Sequence, residues 1–317
     1  MSGPPIKDHL VLLTDFSDAP AIADSGTDQA SALRFLVAES EPPAAREKRR
    51  DSVGRSSGET FLKRLDALAP GAMCDRVKPA DRGAALPDAA GLEGYDAVFL
   101  TGSPLHLYED TPETRRQIDF MRAVFRSGTP SFGSCAGLQV AVTAAGGTVR
   151  TMGARREAGF ARRIFRQQAG QSHPLLDGRP PVFDAPAIHT DEVETLPAGA
   201  TLLASNAVTH VQAAEIRHDG GIFWGVQYHP EISLREVAAA LRRQADDLVD
   251  HDLAQDAHDV EAHAARIEAL HDAPTRRDLA WSLGLDDQVT DEAQRLTELR
   301  NFIAHLVLPT RSARGRR

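Results

Sequence analysis

A cysteine stands between two glycines in the stretch Gly133-Ser134-Cys135-Ala136-Gly137. Residues 129–133 before it predict a strand, and residues 138–145 after it predict a helix that ends at the following glycine pair. A sharp strand-to-helix turn needs small flanking residues and holds its central side chain at the carboxyl edge of a sheet. The stretch therefore predicts a nucleophile elbow. A small buried cysteine in a glycine-rich turn is the alternative at this point.

Strands and helices alternate on both sides of the elbow. Apolar runs at residues 9–14 and 97–101 predict buried strands, and apolar residues at helical spacing predict helices at 60–68 and between Pro112 and Gly128. Residues 39–58, with two prolines and mixed charges, predict a solvated loop. Short strands separated by proline and glycine are expected over residues 154–227. The pattern predicts an α/β fold, a three-layer sandwich with a mostly parallel central sheet.

The composition changes after Glu231. Apolar residues at i, i+3, i+4 and i+7 spacing over residues 233–307 predict a helical extension with faces to bury. Residues 311–317 predict a short disordered basic tail. We therefore divide the chain into a domain at 1–235 and a helical C-terminal extension at 236–317.

The composition excludes several classes of protein. The chain has 317 residues and a net charge of −9, so it lacks the basic surface that nucleic acid binding requires. It has no run of about 18 apolar residues that would span a membrane. The N-terminus shows no signal-peptide pattern, and two cysteines cannot form a disulfide framework. We expect a cytoplasmic protein. Arginine far outnumbers lysine and alanine is abundant, which is typical of a GC-rich bacterial genome.

A second candidate lies at Tyr228-His229-Pro230-Glu231, after an apolar strand. In extended backbone, His229 and Glu231 point to the same side. Glu231 could then orient one imidazole nitrogen while the other faces a nucleophile, as a catalytic triad requires. By itself the motif is more typical of a surface turn. Its combination with the cysteine elbow favours the catalytic interpretation.

The turn Thr101-Gly102-Ser103-Pro104 follows another predicted strand. A glycine-containing turn at the carboxyl end of a strand can direct a backbone N–H at a developing oxyanion. Taken alone, the sequence indicates only a turn.

In this order, the three elements resemble the class I (triad) glutamine amidotransferase family, in particular the glutaminase domain of GMP synthase. The resemblance covers about residues 5–235. Its motifs here are Gly133-Ser134-Cys135-Ala136-Gly137-Leu138-Gln139, Gly225-Val226-Gln227-Tyr228-His229-Pro230-Glu231, Arg156-Glu157-Ala158-Gly159 and His189-Thr190-Asp191-Glu192-Val193.

The resemblance implies a role for each matching residue. Cys135 would be the nucleophile, His229 the general base and acid, and Glu231 its orienting partner. Backbone N–H groups of Ser103 and Ala136 would form the oxyanion hole. The implied substrate contacts are Gly102 and Gln139. The reaction would release ammonia from the glutamine side chain through a thioester, with no metal or organic cofactor.

Two positions depart from the family pattern. Ala136 replaces a usually large residue after the nucleophile, which changes the wall of the substrate pocket. Ser103 replaces the glycine that usually precedes the proline. If that position requires a positive φ, serine would resist it, and the oxyanion hole would form only when a partner or substrate binds.

Other interpretations fit less well. An α/β-hydrolase places its acid before its histidine, whereas here Glu231 follows His229. Histidines in the extension lack the i, i+4 spacing of a helical metal site and suit a solvated face; they are His251, His258, His263 and His271. We assign Cys74 no role.

The sequence shows no half that would consume ammonia, because residues 233–317 contain no glycine-rich nucleotide loop. A separate synthetase could receive the ammonia. Alternatively, the chain could act alone as a γ-glutamyl hydrolase or peptidase on a glutamine-like metabolite. A non-catalytic binding module is the third option, and the intact set of Cys135, His229 and Glu231 argues against it.

Overall fold

The computed structural model describes residues 32–153 and 155–315. The predicted strand at residues 9–14 lies outside this part of the chain. The strands are β1 (Arg34–Ala38), β2 (Met73–Val77), β3 (Ala97–Leu100), β4 (Ser131–Ser134), β5 (Thr148–Thr151), β6 (Glu157–Arg166), β7 (Val182–His189), β8 (Asp191–Thr195), β9 (Ala200–Ser205), β10 (Ala213–His218) and β11 (Gly221–Val226).

Helices fill the remaining segments and dominate the C-terminal third. They are α1 (Pro43–Val53), α2 (Ser57–Leu68), α3 (Ala89–Leu92), α4 (Pro112–Ser127), α5 (Ala136–Ala144), α6 (Leu234–Arg243), α7 (Ala245–Asp250), α8 (Ala257–Asp272), α9 (Arg277–Leu283), α10 (Asp287–Thr290), α11 (Glu292–Arg295), α12 (Thr297–Phe302) and α13 (Leu308–Ala313), with a π-helical turn at Ile303–Val307.

The central sheet has the strand order β2-β1-β3-β4-β11-β10-β9-β6-β7. The first five strands are parallel, and the pairs from β11 onward are antiparallel. Strands β3, β4 and β11 are neighbours, and each precedes one of the predicted motifs. Because carboxyl ends of parallel strands share one edge, the sheet brings the three motifs together.

Helices cover both faces of the sheet, which confirms the predicted α/β sandwich. On one face, α4 and α5 bury apolar side chains against Val98 and Leu100. On the other, α2 and α12 pack against Phe35, Phe99 and Phe132. Strand β3 is buried throughout, as expected of a parallel strand covered on both sides.

The C-terminal extension supplies part of this core. The ring of Phe302 lies edge-on to Phe99, with centroids 5.4 Å apart. Beside it, Arg179 donates two hydrogen bonds to Glu298, at 2.7 and 2.8 Å, and Glu298 accepts another from the hydroxyl of Tyr228 at 2.8 Å. Both side chains of the ion pair are almost fully buried. The extension is therefore attached to the residue that precedes His229.

The described residues cluster into one compact unit. The predicted boundary between residues 235 and 236 stays a prediction. Among the helices of the described residues, none is long and apolar enough to cross a bilayer.

The predicted loop at residues 39–58 is wrong, because helix α1 occupies most of it. Pro43 takes the first helical position, where its missing N–H costs nothing. Several of the charges that suggested solvation are paired instead. Arg46 contacts Asp81 at 2.5 Å, and Arg49 contacts Glu236 at 3.0 Å.

The prediction of a disordered tail from residue 311 is also wrong for its first residues. Arg311 lies in α13, is almost fully buried, and donates to the carboxylate of Asp96 at 3.0 Å. Asp96 is 215 residues away in the sequence. The local sequence pattern around Arg311 therefore does not reveal this partner.

We predict that Arg179→Ala lowers the free energy of unfolding by about 3–5 kcal/mol, because it leaves the Glu298 carboxylate buried without its cation. Chemical denaturation measures this loss. The matched control is Arg276→Ala, whose partner Asp278 is exposed, and whose stability should stay close to that of the unchanged chain. Equal stability of the two variants would contradict the prediction.

Candidate active site

Cys135 occupies a strained turn between β4 and α5. Its backbone has φ 53° and ψ −113°, a left-handed region that non-glycine residues rarely adopt. A Cβ at Gly133 would lie 2.7 Å from the backbone of Gly137, and one at Gly137 would lie 2.5 Å from the carbonyl oxygen of Leu100. Both glycines are therefore required by close backbone packing, as expected of a nucleophile elbow.

The side chain of Cys135 is at the N-terminus of α5. It is the N-cap residue and makes no capping hydrogen bond, so its sulfur is not used to hold the helix. The backbone N–H of Cys135 donates to Val226 on the neighbouring β11, at 2.8 Å. The positive end of the helix dipole stabilises negative charge on a group placed there.

His229 and Glu231 form a close pair beside the elbow. His229 Nδ1 and Glu231 Oε1 are 2.7 Å apart. The same carboxylate oxygen accepts a hydrogen bond from Ser134 Oγ at 3.0 Å, and Arg64 Nε donates to the Glu231 carbonyl at 2.8 Å. On the other side, the backbone N–H of His229 donates to the carbonyl of Pro186 at 2.7 Å. The ring is therefore oriented by its partner, and the partner is held by two further groups.

The environment of His229 favours its protonated form. Burial lowers the pKa of His229, but the charges of Glu231 and Cys135 and hydrogen bonds to both outweigh it and raise that pKa to about 10. A protonated His229 beside Cys135 suits a thiol nucleophile that works with an acid partner.

The turn after β3 lies against both residues. A Cβ at Gly102 would come within 2.8 Å of His229 Cε1 and 3.7 Å of Cys135 Cβ. Ser103 does not have a positive φ, so the backbone at this position suits serine. Within the described part of the chain, the N–H groups of Ser103 and Ala136 donate to no other group, which leaves them available to an oxyanion.

Gln139 lies one helical turn from the elbow and is buried. Its amide nitrogen donates to the carbonyl of Asp191 at 3.1 Å and to Gln227 Oε1 at 3.2 Å. It does not line the cavity that contains Cys135. Its contact with substrate stays a prediction.

The two remaining family-like motifs meet in the interior. Glu157 Oε2 lies 2.8 Å from His189 Nε2 and also accepts hydrogen bonds from Gln212 and Thr209. His189 Nδ1 in turn lies 2.9 Å from the carbonyl oxygen of Asp191. These contacts connect β6 and β7 with Asp191, the residue that Gln139 also contacts.

A cavity of about 310 Å³ opens beside Cys135, His229 and Gly102. One wall of the cavity is formed by α1 and α6. Sequence reasoning misses this wall, because the local pattern predicts a loop in place of α1 and assigns α6 to a separate extension. The residues from these two helices are Ala45, Lys48, Arg49, Glu236, Ala240 and Arg243.

An α/β sheet with a cysteine elbow beside a histidine–glutamate pair is the arrangement of a thiol-dependent hydrolase. Comparison with known proteins narrows this class. A model of the class I glutamine amidotransferase family matches residues 76–246. Gamma-glutamyl-L-1-hydroxyisopropylamide hydrolase from a Pseudomonas species is 36% identical over 284 residues, which are 88% of this chain and 94% of that protein.

Two other similar proteins match less of this chain or have a lower sequence identity to it. The glutamine-hydrolysing GMP synthase subunit from Sulfurisphaera tokodaii is 31% identical over 145 residues, or 46% of this chain and 72% of that protein. The crystal structure of a glutamine amidotransferase from Thermotoga maritima superposes with a TM-score of 0.54 at 18% identity, covering 82% of this chain and 98% of that one. The Thermotoga protein therefore shares the fold of this chain.

The chain belongs to the class I glutamine amidotransferase family. It is a cysteine-dependent amide hydrolase.

We predict that Gly102→Ala lowers kcat/KM by about 100-fold, because the new methyl group would displace the His229 ring from its position beside Cys135. The backbone at residue 102 does not have a positive φ, so alanine should fold normally. Steady-state kinetics measure the loss in kcat/KM, and circular dichroism checks that the variant folds normally. Full activity with an unchanged fold would contradict the predicted contact.

Proposed function

We propose that the chain hydrolyses the amide bond of γ-glutamyl compounds in which the leaving nitrogen carries a substituent, and that it acts alone. The observation that carries this proposal is the similarity to the Pseudomonas γ-glutamyl amide hydrolase. That similarity spans 88% of this chain and 94% of the relative, and therefore includes helices beyond residue 235.

In the proposed mechanism, the Cys135 thiolate attacks the γ-glutamyl carbonyl carbon. The N–H groups of Ser103 and Ala136 stabilise the tetrahedral oxyanion. His229 transfers its proton to the leaving nitrogen, the C–N bond breaks, and the amine departs. Glutamate is left as a thioester on Cys135.

The second half-reaction uses the same groups in reverse order. His229, now neutral, removes a proton from water, and the resulting hydroxide attacks the thioester through another oxyanion. Collapse of this species breaks the C–S bond and restores the thiolate and the imidazolium. Glu231 keeps the ring oriented through both steps, from 2.7 Å away.

The cavity supports a substituted amide. Its volume of about 310 Å³ is within the range of about 300–1,000 Å³ typical of small-molecule sites. The cavity lining also includes apolar side chains, among them Ile188, Ile232 and Ala240. A leaving ammonia would use none of these contacts, whereas a short carbon substituent would.

The direct test is glutamate release by the purified chain, measured with γ-glutamylethylamide and with L-glutamine. We expect a higher kcat/KM for the ethylamide. Exclusive hydrolysis of L-glutamine would overturn the proposal and favour the second candidate below.

That second candidate is a glutaminase that supplies ammonia to a separate synthetase. It is favoured by the similarity to the glutamine-hydrolysing GMP synthase subunit of Sulfurisphaera tokodaii. Glutamine hydrolysis that is weak in the isolated chain and strongly raised by a partner protein would support it.

We predict that Cys135→Ala abolishes turnover and leaves the fold intact, because the change removes one sulfur atom that holds no hydrogen bond in the helix cap. The matched control is Cys74→Ala, at the edge strand β2, which should keep full activity. Residual turnover by Cys135→Ala would exclude the thiol mechanism.

We also predict that Glu231→Gln reduces kcat less than His229→Ala, for which a loss of about 10²–10⁴-fold is expected. The glutamine side chain at position 231 leaves the His229 ring in place but orients it less firmly. Since the carboxylate is one of the groups that raise the pKa of His229 to about 10, the alkaline fall of kcat/KM should move to lower pH in Glu231→Gln. An unchanged pH profile would contradict this role.

A further inference from the structure

One part of the cavity lining carries charged side chains of both signs. It contains the cationic side chains of Lys48, Arg49 and Arg243 and the carboxylates of Glu41 and Glu236. We call these five residues the charged wall.

Both carboxylates of the charged wall already accept hydrogen bonds from neighbouring groups. Glu236 accepts from Arg49 at 3.0 Å and from Thr60 at 2.6 Å, and its second oxygen accepts from the N–H of Ser233 at 2.9 Å. Glu41 accepts a hydrogen bond from the N–H of Ser57 at 3.0 Å. Burial raises the pKa of Glu41 and so weakens its tendency to carry charge.

Arg243 is left without a carboxylate partner among the described residues. One of its nitrogens donates to the hydroxyl of Ser52. Burial, together with the nearby charge of Arg49, lowers the pKa of Arg243 to about 10. A guanidinium in this situation remains protonated at neutral pH and is stabilised by any anion that enters the cavity.

The position of Arg243 relative to His229 indicates which part of a substrate reaches it. Helix α6 begins three residues after Glu231, and its cavity-lining residues continue the wall on the His229 side. His229 gives its proton to the leaving nitrogen. A group attached to that nitrogen would reach Arg243 by extending along α6.

We propose that Arg243, together with Lys48, binds a carboxylate on the leaving amine, so that γ-glutamyl amides of amino acids are preferred to those of neutral amines. This inference rests on the proposed γ-glutamyl amide hydrolysis and names its substrate class. The apolar residues Ile188, Ile232 and Ala240 would contact the carbon chain between nitrogen and carboxylate.

The experiment compares γ-glutamylglycine with γ-glutamylethylamide, which lacks the leaving-group carboxylate. For the unchanged chain, kcat/KM should be higher for γ-glutamylglycine. In Arg243→Gln, the ratio of the two kcat/KM values should fall by about 10- to 100-fold through KM, the size expected for loss of a charged hydrogen bond.

The neighbouring Arg242 offers a matched control. It is paired with Glu261 and Glu268 and does not line the cavity, so Arg242→Gln should leave the ratio unchanged. Equal losses for both substrates in Arg243→Gln would overturn the assignment, since Arg243 would then bind the α-carboxylate of the glutamyl group. No loss for either substrate would overturn it as well.

Binding separates failure of this inference from failure of the proposed function. Calorimetry on Cys135→Ala, with and without Arg243→Gln, measures affinity for both compounds without turnover. Tighter binding of γ-glutamylglycine that depends on Arg243, in a chain without hydrolytic activity, would support the carboxylate site and overturn the proposed reaction. Equal affinities for the two compounds would overturn the carboxylate site.

Discussion

The structure of the site depends on the left-handed backbone of Cys135. This conformation is unfavourable for a residue with a side chain, and it persists because the surrounding backbones pack too closely to allow another path. Gly137 lies under the carbonyl of Leu100, and Gly133 lies against Gly137. As a result, Cys135 stands at the carboxyl end of β4 and at the N-terminus of α5.

Strand order then brings the other groups to the cysteine. β4 is paired with β3 on one side and β11 on the other, all three parallel, so that the segments after them meet. Gly102 follows β3, and its lack of a side chain makes room for the His229 ring. His229 follows β11 and is oriented by Glu231, which Ser134 of the elbow contacts in turn. The elbow and the histidine–glutamate pair therefore support each other.

The C-terminal helices contribute to the same arrangement from the opposite face of the sheet. Glu298 on α12 accepts the hydroxyl hydrogen bond of Tyr228, the residue before His229, and Arg179 neutralises the carboxylate. α6 adds the second wall of the cavity. The extension thus supplies part of the cavity lining.

The elbow, the histidine–glutamate pair and the α/β architecture could be predicted because each depends on a short sequence pattern. Glycine spacing around Cys135 and the apolar strands report local packing requirements directly. Helix α1 could not be predicted in this way, since its charged residues are paired with Asp81 and Glu236, which are distant in sequence. The same holds for Arg311 and its partner Asp96. Tertiary contacts of this kind leave no local periodicity.

We propose that Cys135 is the nucleophile that attacks γ-glutamyl substrates. The most direct measurement is covalent labelling with a glutamine analogue that carries an electrophilic ketone in place of its amide, followed by intact mass and peptide mapping. We expect one adduct, on Cys135, with Cys74 unmodified and labelling slowed by γ-glutamylethylamide. No adduct, or labelling of Cys74 at the same rate as Cys135, would contradict it.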